Sequence, residues 1–393
     1  MTVRRVLVCR CALLPQSETF IKEQILACSR WQPVLVGTHR VPGLDVEQLD
    51  TRMLYDSQAS PSMPVKAYRK LIGQLDLAPR SIVRRLQEEG AAVVHVHFGT
   101  DAVVYWPFLR RLGLPVLVSL HGYDIQIERS WWESGAGGWL MRNYPQRLLA
   151  MGRHPLVRFI AVSAAIRERA IEYGLPAARI RTAHIGIDCR KFVAATDAIT
   201  TRSPRVLFVG RLVEKKGCEY LIRAMKSLQG RVPEAELVVA GDGPQRGALE
   251  RLAITLAVKA RFLGSVPHEE VQRQLAQVRV FCLPSVRAAN GDAEGFGLVI
   301  LEAQACGVPV VTSAVGGAQE GIRDGVTGYS FAERDVTGLA RKLTRLLTDD
   351  SLASAMSLAA PGFVRQHFDN AVLTERLEAL YDSAATAVGR ATA

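Results

Sequence analysis

The sequence predicts an α/β protein of two Rossmann-like parallel-sheet domains that face each other across a cleft. Three observations predict it. Short β-branched runs alternate with longer amphipathic stretches along almost the whole chain, as βα units require. The alternation breaks once, over residues 189–204, and then restarts. At 393 residues with 48% hydrophobic content, the chain can bury two cores.

The elements follow in order. RRVLVCRCA reads as a strand, SETFIKEQILACSRW as a helix, QPVLVGT as a strand and SIVRRLQEEG as a helix. AVVHVHFG, PVLVSLHG and RFIAVS are strands, interleaved with the helices DAVVYWPFLRRLG and AAIRERAIEYG. Their continuous apolar runs suit strands covered on both faces. CRKFVAATDAITTRSP has no sustained period and ends in Ser-Pro, which marks a linker. Beyond it come RVLFVG, EYLIRAMKSL, AELVVAG, GALERLAITL, RFLG, PHEEVQRQLAQ, VRVFCLPS and GVPVVTSA. The expected division is an N-terminal domain over 1–188, the linker 189–204 and a C-terminal domain over 205–370. Residues 371–393 form a last helix able to pack back on the first domain.

Charge narrows the partners. The formal net charge is +11, and most of it lies in the first half: 24 Lys and Arg against 16 Asp and Glu up to Asp188, then 25 against 22. An anionic partner fits this: an acidic membrane surface or a phosphorylated substrate. Nothing in the sequence resembles a zinc finger or helix-turn-helix, so nucleic acid is not expected. The seven scattered cysteines read as buried free thiols of a reducing cytosol. Arg10 interrupts the apolar N-terminal run, which therefore reads as a strand and not a signal peptide. No apolar run is long enough to span a membrane.

The chemistry concentrates in the second half. Three glycine-bearing turns each follow a strand: GRLVEKKG at 210–217, GDGP at 241–244, and the loop before EGFG. Glycine there lets backbone approach a ligand, and a following helix N-terminus favours an anion. Arg211 and Lys216 add two cations to a phosphate-sized site. In AEGFGLVILEAQACGVPVV, Gly295-Phe296-Gly297 is read as the turn into a helix from about Leu298 to Ala305. Glu294 then precedes the helix, and Glu302 lies on its second turn. Glu294 can reach sugar hydroxyls or a developing positive charge at an anomeric carbon. Glu302 can accept ribose hydroxyls, as acidic residues do in dinucleotide folds. The plainer alternatives are a carboxylate near the helix start and an ion-pair partner. In the first half, His121 follows the strand PVLVSL directly, and Gly122 permits a turn. His95 and His97 share a strand face; a hydrogen-bonded strand-end pair is preferred to a metal pair, for want of a third ligand.

E-G-F-G-L-V-I-L-E resembles the E-x7-E signature of retaining glycosyltransferases of family 4, whose fold is GT-B. VGRLVEKKG, VVAGDGP and GVPVVTSAVGGAQEGI resemble further C-terminal elements of that family, in the same order. The resemblance implies that Arg211 and Lys216 hold the donor diphosphate and that Glu294 lies at the donor sugar. It also implies that Phe296, Gly297 and Leu298, after Gly295, contact sugar and phosphate through backbone, and that Glu302 binds the ribose. His121 resembles the family histidine that faces the donor sugar. LLPQSETFIKEQ departs from the Gly-Gly loop of many relatives and is similar to a subgroup that builds exopolysaccharide, including colanic-acid-type transferases. Ser17 or Thr19 is placed to cap the helix there. There is no Asp-x-Asp motif, so metal-free catalysis is expected.

The function this implies is hexosyl transfer from a nucleotide sugar, UDP-hexose ahead of GDP-mannose, to a glycan or lipid-linked acceptor. No cofactor is expected. Two readings of residues 131–158 stay open. Trp131, Trp132, Trp139 and Tyr144 alternate with Arg142, Arg147, Arg153 and Arg158, which suits docking at the inner face of an anionic membrane. A helix packed under the sheet with a solvated Arg face explains them equally well. A non-hydrolysing sugar-nucleotide epimerase and a non-catalytic nucleotide-sugar-binding subunit are the competing functions.

Overall fold

The computed structural model describes residues 4–55 and 77–391. Contacts divide the chain into two compact units, Met1–His184 with Asn370–Ala393, and Ile185–Asp369. Each is built on a wholly parallel sheet among the described residues.

The first unit carries β1 (Arg4–Leu13), β2 (Trp31–Arg40), β3 (Thr51–Met53), β4 (Ala91–His97), β5 (Val116–Leu120), β6 (Val157–Ala161) and β7 (Ile180–Thr182). Their order is β3-β2-β1-β4-β5-β6-β7. The central strands read as apolar runs because both faces are covered: Val6, Leu7, Val8 and Cys9 are all buried. One core face gathers Val6, Val8, Leu35, Val93, Leu117 and Ile160 around Leu377 and Tyr381 of the helix Asn370–Ala391. Glu378 of that helix is fully buried. One of its oxygens accepts the backbone N–H of Ser29, Arg30 and Trp31 at 3.0, 2.8 and 2.9 Å. A buried carboxylate is tolerable there because three donors replace its lost water.

The second unit carries β8 (Ser203–Val209), β9 (Glu236–Ala240), β10 (Ala260–Gly264), β11 (Val278–Leu283), β12 (Val310–Ser313) and β13 (Gly328–Phe331), in the order β10-β9-β8-β11-β12-β13. Residues 189–204 give this unit the buried side chains of Phe192 and Ile199. In both sheets the strand order reverses once, between β1 and β4 and between β8 and β11. Loops leaving the carboxyl ends of such strands diverge and open a crevice.

All seven cysteines are free; four are buried, and Cys11, Cys28 and Cys189 are half-buried. Among the described residues no helix is long and apolar enough to cross a membrane. In residues 131–158, Trp132 and Tyr144 are packed inside, whereas Trp139 is 68% exposed.

Candidate active site

In the second unit the strand order reverses between β8 and β11, and the loops after these two strands meet there. The two loops interlock. Gly217 has φ +63°, and a Cβ there would lie 1.9 Å from the Pro284 carbonyl oxygen, so only glycine fits. The Val286 N–H donates to the Lys215 carbonyl at 2.8 Å. This brings the KK of VEKKG beside the carboxylates of GDAEG. Lys216 Nζ lies 2.5 Å from Glu294 Oε2, and Lys215 Nζ 3.0 Å from Asp292 Oδ2. Ser285 Oγ donates to Glu294 Oε2 at 3.3 Å, and the Gly317 N–H donates to the Glu294 carbonyl at 3.1 Å.

Glu294 is 7% exposed. Burial alone would raise its pKa. The charges of Lys216 and Lys215, with hydrogen bonds from Lys216 and Ser285, outweigh burial and hold the carboxyl below its ordinary value. The result is a buried, ionised carboxylate beside an ammonium, in the loop that follows β11.

Gly295 and Phe296 are buried and lead into the helix Leu298–Ala305, with the Phe296 ring 5.4 Å from that of Phe368. Gly297, with φ +84°, takes the left-handed N-cap position that the turn requires and brings no side chain to the opening amides. Leu298 and Glu302 are half-buried, one turn apart on one helix face, while Ile300, Leu301 and Ala303 face the core. Arg211 is exposed at the start of the β8 loop. The structure thus brings Lys216, Glu294 and the Gly295–Leu298 segment together. Sequence reasoning missed Ser285, Lys215 and Asp292, although the Lys-Lys pair and the acid two residues before Glu294 were visible.

The first unit offers a second cluster, at the ends of β4 and β5. His97 pairs in register with Ser119, so His121, just past β5, comes beside it. His97 Nδ1 and His121 Nε2 are 3.0 Å apart, with the rings stacked at 25°. His95 instead bonds Tyr381 Oη through Nδ1 at 2.7 Å and Ser119 Oγ through Nε2 at 2.8 Å. His95 and His97 therefore hold different partners and do not converge as a metal pair. Among the described residues no three His, Cys, Asp or Glu are grouped to hold an ion. Burial lowers His95 and His121 to about 3 and pushes His97 well below its ordinary value. All three rings are neutral at neutral pH.

Asp124 fixes the turn that carries His121. Its carboxylate accepts the N–H of His121 at 3.0 Å, Gly122 at 2.9 Å and Gly99 at 2.8 Å. Burial still pushes it up to about 6, against those bonds. In the loop LLPQSETF the structure corrects the expected cap. Glu18 holds the N-cap position of the helix Thr19–Ala27, and no side chain caps it, neither Ser17 nor Thr19. Glu18 turns away to Arg10, which it grips at 2.6 and 2.8 Å; Arg10 also pairs with Asp101. A bidentate charged pair outcompetes a backbone cap.

Residues 26–191 match the model of Glycosyltransferase Family 4, and residues 192–362 that of Glycosyl transferases group 1. A GDP-mannose-dependent alpha-(1-6)-phosphatidylinositol monomannoside mannosyltransferase of Mycolicibacterium smegmatis is 33% identical over 278 residues, 67% of this chain and 70% of that protein. The chain belongs to glycosyltransferase family 4. The amylovoran biosynthesis glycosyltransferase AmsK of Erwinia amylovora is a further relative of this family 4 enzyme, 30% identical over 77% of this chain and 72% of its own. Anabaena Alr3699/HepE, solved with UDP and glucose, superposes at a TM-score of 0.75 over 96% of this chain and 99% of that one, at 18% identity. A sucrose-phosphate synthase from Thermosynechococcus elongatus reaches 0.77 over 98% and 100%, at 20% identity. The fold of the family 4 enzyme is GT-B.

Proposed function

We propose that this glycosyltransferase moves a hexose from a nucleotide-diphosphate sugar to a hydroxyl of a glycan or lipid-linked acceptor in surface-polysaccharide assembly, with retention of configuration and without a metal. The observation that carries the proposal is the buried Lys216–Glu294 pair at the strand-order reversal of the second sheet. Lys216, Arg211 and the opening amides of the helix Leu298–Ala305 would take the negative charge that grows on the leaving diphosphate. Glu294 would face the positive charge that grows at the anomeric carbon. Charges fixed in place before the reaction stabilise a transition state without reorganisation. The bond from anomeric carbon to phosphate oxygen breaks as the acceptor oxygen bonds the same carbon on the same face. The leaving phosphate oxygen takes the acceptor proton. His121 would contact the donor sugar and Glu302 the ribose.

UDP-hexose is the expected donor. GDP-mannose is the second reading, because the Mycolicibacterium relative is a GDP-mannose-dependent enzyme. A thermal-shift screen of UDP- and GDP-sugars on the full chain separates them. A donor at 100 times its dissociation constant stabilises its domain by about 2.7 kcal/mol. Incubation with the stabilising donor and candidate acceptors, with and without EDTA, then reads transfer, linkage and metal dependence. An epimer formed from donor alone would make the chain an epimerase; binding without turnover of any acceptor would make it a carrier subunit.

Side-chain removal should sort the roles. Lys216→Ala and Arg211→Ala should weaken nucleoside-diphosphate binding and barely affect the bare nucleoside. Glu302→Ala should weaken both, by roughly 1–3 kcal/mol for a lost charged hydrogen bond. Calorimetry checks this; equal losses for nucleoside and diphosphate in Lys216→Ala would assign the lysine to the fold.

A place at the inner face of a membrane belongs to the same reading. Trp139 and Leu140 are exposed beside exposed Arg142, an aromatic–cationic patch of the kind that enters headgroups. The full chain should sediment with anionic vesicles at low salt and release at high salt, and Trp139→Ser with Arg142→Gln should reduce that binding. Equal sedimentation with neutral vesicles would remove the membrane from the reading.

A further inference from the structure

We infer that His97 is a positioning residue that fixes the tautomer of His121, so that His121 presents an Nδ1–H donor to a sugar hydroxyl oxygen. The inference rests on the proposed place of His121 at the donor sugar. It begins with the 3.0 Å contact between His97 Nδ1 and His121 Nε2. Two neutral imidazoles joined this way share one hydrogen between those two atoms. One ring donates and the other accepts, so each tautomer dictates the other.

Only two arrangements exist. If the shared hydrogen belongs to His121 Nε2, then His97 accepts and carries its own hydrogen on Nε2. If it belongs to His97 Nδ1, then His121 accepts and carries its hydrogen on Nδ1. In the structure both outer atoms, His97 Nε2 and His121 Nδ1, are buried without a hydrogen-bond partner. The choice therefore turns on which ring better tolerates an unpaired N–H. A buried N–H without an acceptor is rarer and costlier than an unused lone pair. His97 is 1% exposed and sealed between neighbouring strands, whereas His121 is half-buried on a turn. The N–H belongs on His121, where an arriving ligand can satisfy it.

Other groups hold this arrangement still. The Phe98 and Phe20 rings lie 4.5 and 5.0 Å from the His121 ring. Asp124 anchors the backbone N–H of His121. His95 is occupied by Tyr381 and Ser119, so it cannot take over the role of His97. The geometry leaves one nitrogen of His121 uncommitted and gives it one polarity.

The test is long-range 15N–1H correlation NMR on the full ligand-free chain at neutral pH, with the His121 signals assigned by their loss in His121→Gln. Wild type is expected to show His121 protonated on Nδ1. His97→Asn keeps an amide N–H close to the Nδ1 position; it should keep that tautomer and stay within about threefold of wild-type turnover. His97→Leu removes the donor. His121 should then move to the Nε2–H form that free histidine prefers, and kcat/KM for the donor should fall about tenfold, which is about 1.4 kcal/mol. A wild-type His121 protonated on Nε2, or an unchanged tautomer in His97→Leu, overturns the proposal. Wild-type turnover by His121→Ala instead overturns the place of His121 at the sugar, and the positioning role falls with it.

Discussion

Glu294→Gln should lower turnover about a hundredfold or more while leaving nucleotide affinity within a few-fold of wild type. The substitution keeps size and hydrogen-bonding shape and removes one charge. In the native chain that charge is buried and balanced by Lys216 at 2.5 Å, with Ser285 supporting the same oxygen. On the proposed reading that carboxylate acts on the centre where positive charge develops, which exists only during the reaction. Its loss therefore appears in kcat and not in the binding of UDP or GDP. The amide also leaves the Lys216 ammonium without its counter-ion. That frees Lys216 toward the diphosphate, so nucleotide affinity should be unchanged or slightly higher. Turnover and calorimetry on the same purified variant check both halves. Wild-type turnover would remove Glu294 from the chemistry. A matching loss of nucleotide affinity would make the pair a binding device. Circular dichroism guards against a third outcome, unfolding around an unpaired buried lysine.

Much of this site was legible in the sequence because its signals are local. A turn that needs Gly217 and Gly297, a helix that starts after Gly297 and two acids eight positions apart all lie within short segments. The sheets were legible for a similar reason: β1, β4, β8 and β11 are central, covered on both faces, and carry the apolar stretches VLVC, AAVV, VLFV and VFCL. The strands Thr51–Met53, Ile180–Thr182 and Gly328–Phe331 were not read, since three or four residues are too few to show a period. The helix Tyr144–Gly152 was hidden within an aromatic and arginine-rich stretch that pointed equally to a surface. Tertiary partners were the least legible. Nothing in SETFIKEQ shows that Glu18 will abandon the helix end for Arg10 eight residues back. Nothing in VHVH shows that His95 will meet a tyrosine 286 positions away. Such pairs exist only once the strand order is known.

The buried histidines should make the first unit acid-labile well above the range where carboxylates titrate. His95 and His121 have native pKa values of about 3, against 6.5 in an open chain. Between those values the unfolded chain binds protons that the native rings refuse. Unfolding then takes up protons, and lowering the pH favours it. The stability is complete above about pH 6.5 and drains as the pH falls toward 3. Each ring would give up about 2 kcal/mol by pH 5 if it acted alone. Asp124 works the other way. Its native pKa of about 6 lies above the ordinary 3.8, so the native state gains a proton between pH 7 and 5. That returns about 1 kcal/mol, so the two rings and Asp124 together leave a net loss of roughly 3 kcal/mol. All five tryptophans, at 31, 106, 131, 132 and 139, belong to the first unit. Tryptophan emission during urea unfolding therefore follows this unit alone, and the midpoint should drop clearly from pH 7 to pH 5. His95→Gln, which can still bond Tyr381 and Ser119 but does not titrate, should lose about two thirds of that drop. An equal midpoint at both pH values would mean that the rings gain protons without cost, and that water reaches a cluster the packing closes off.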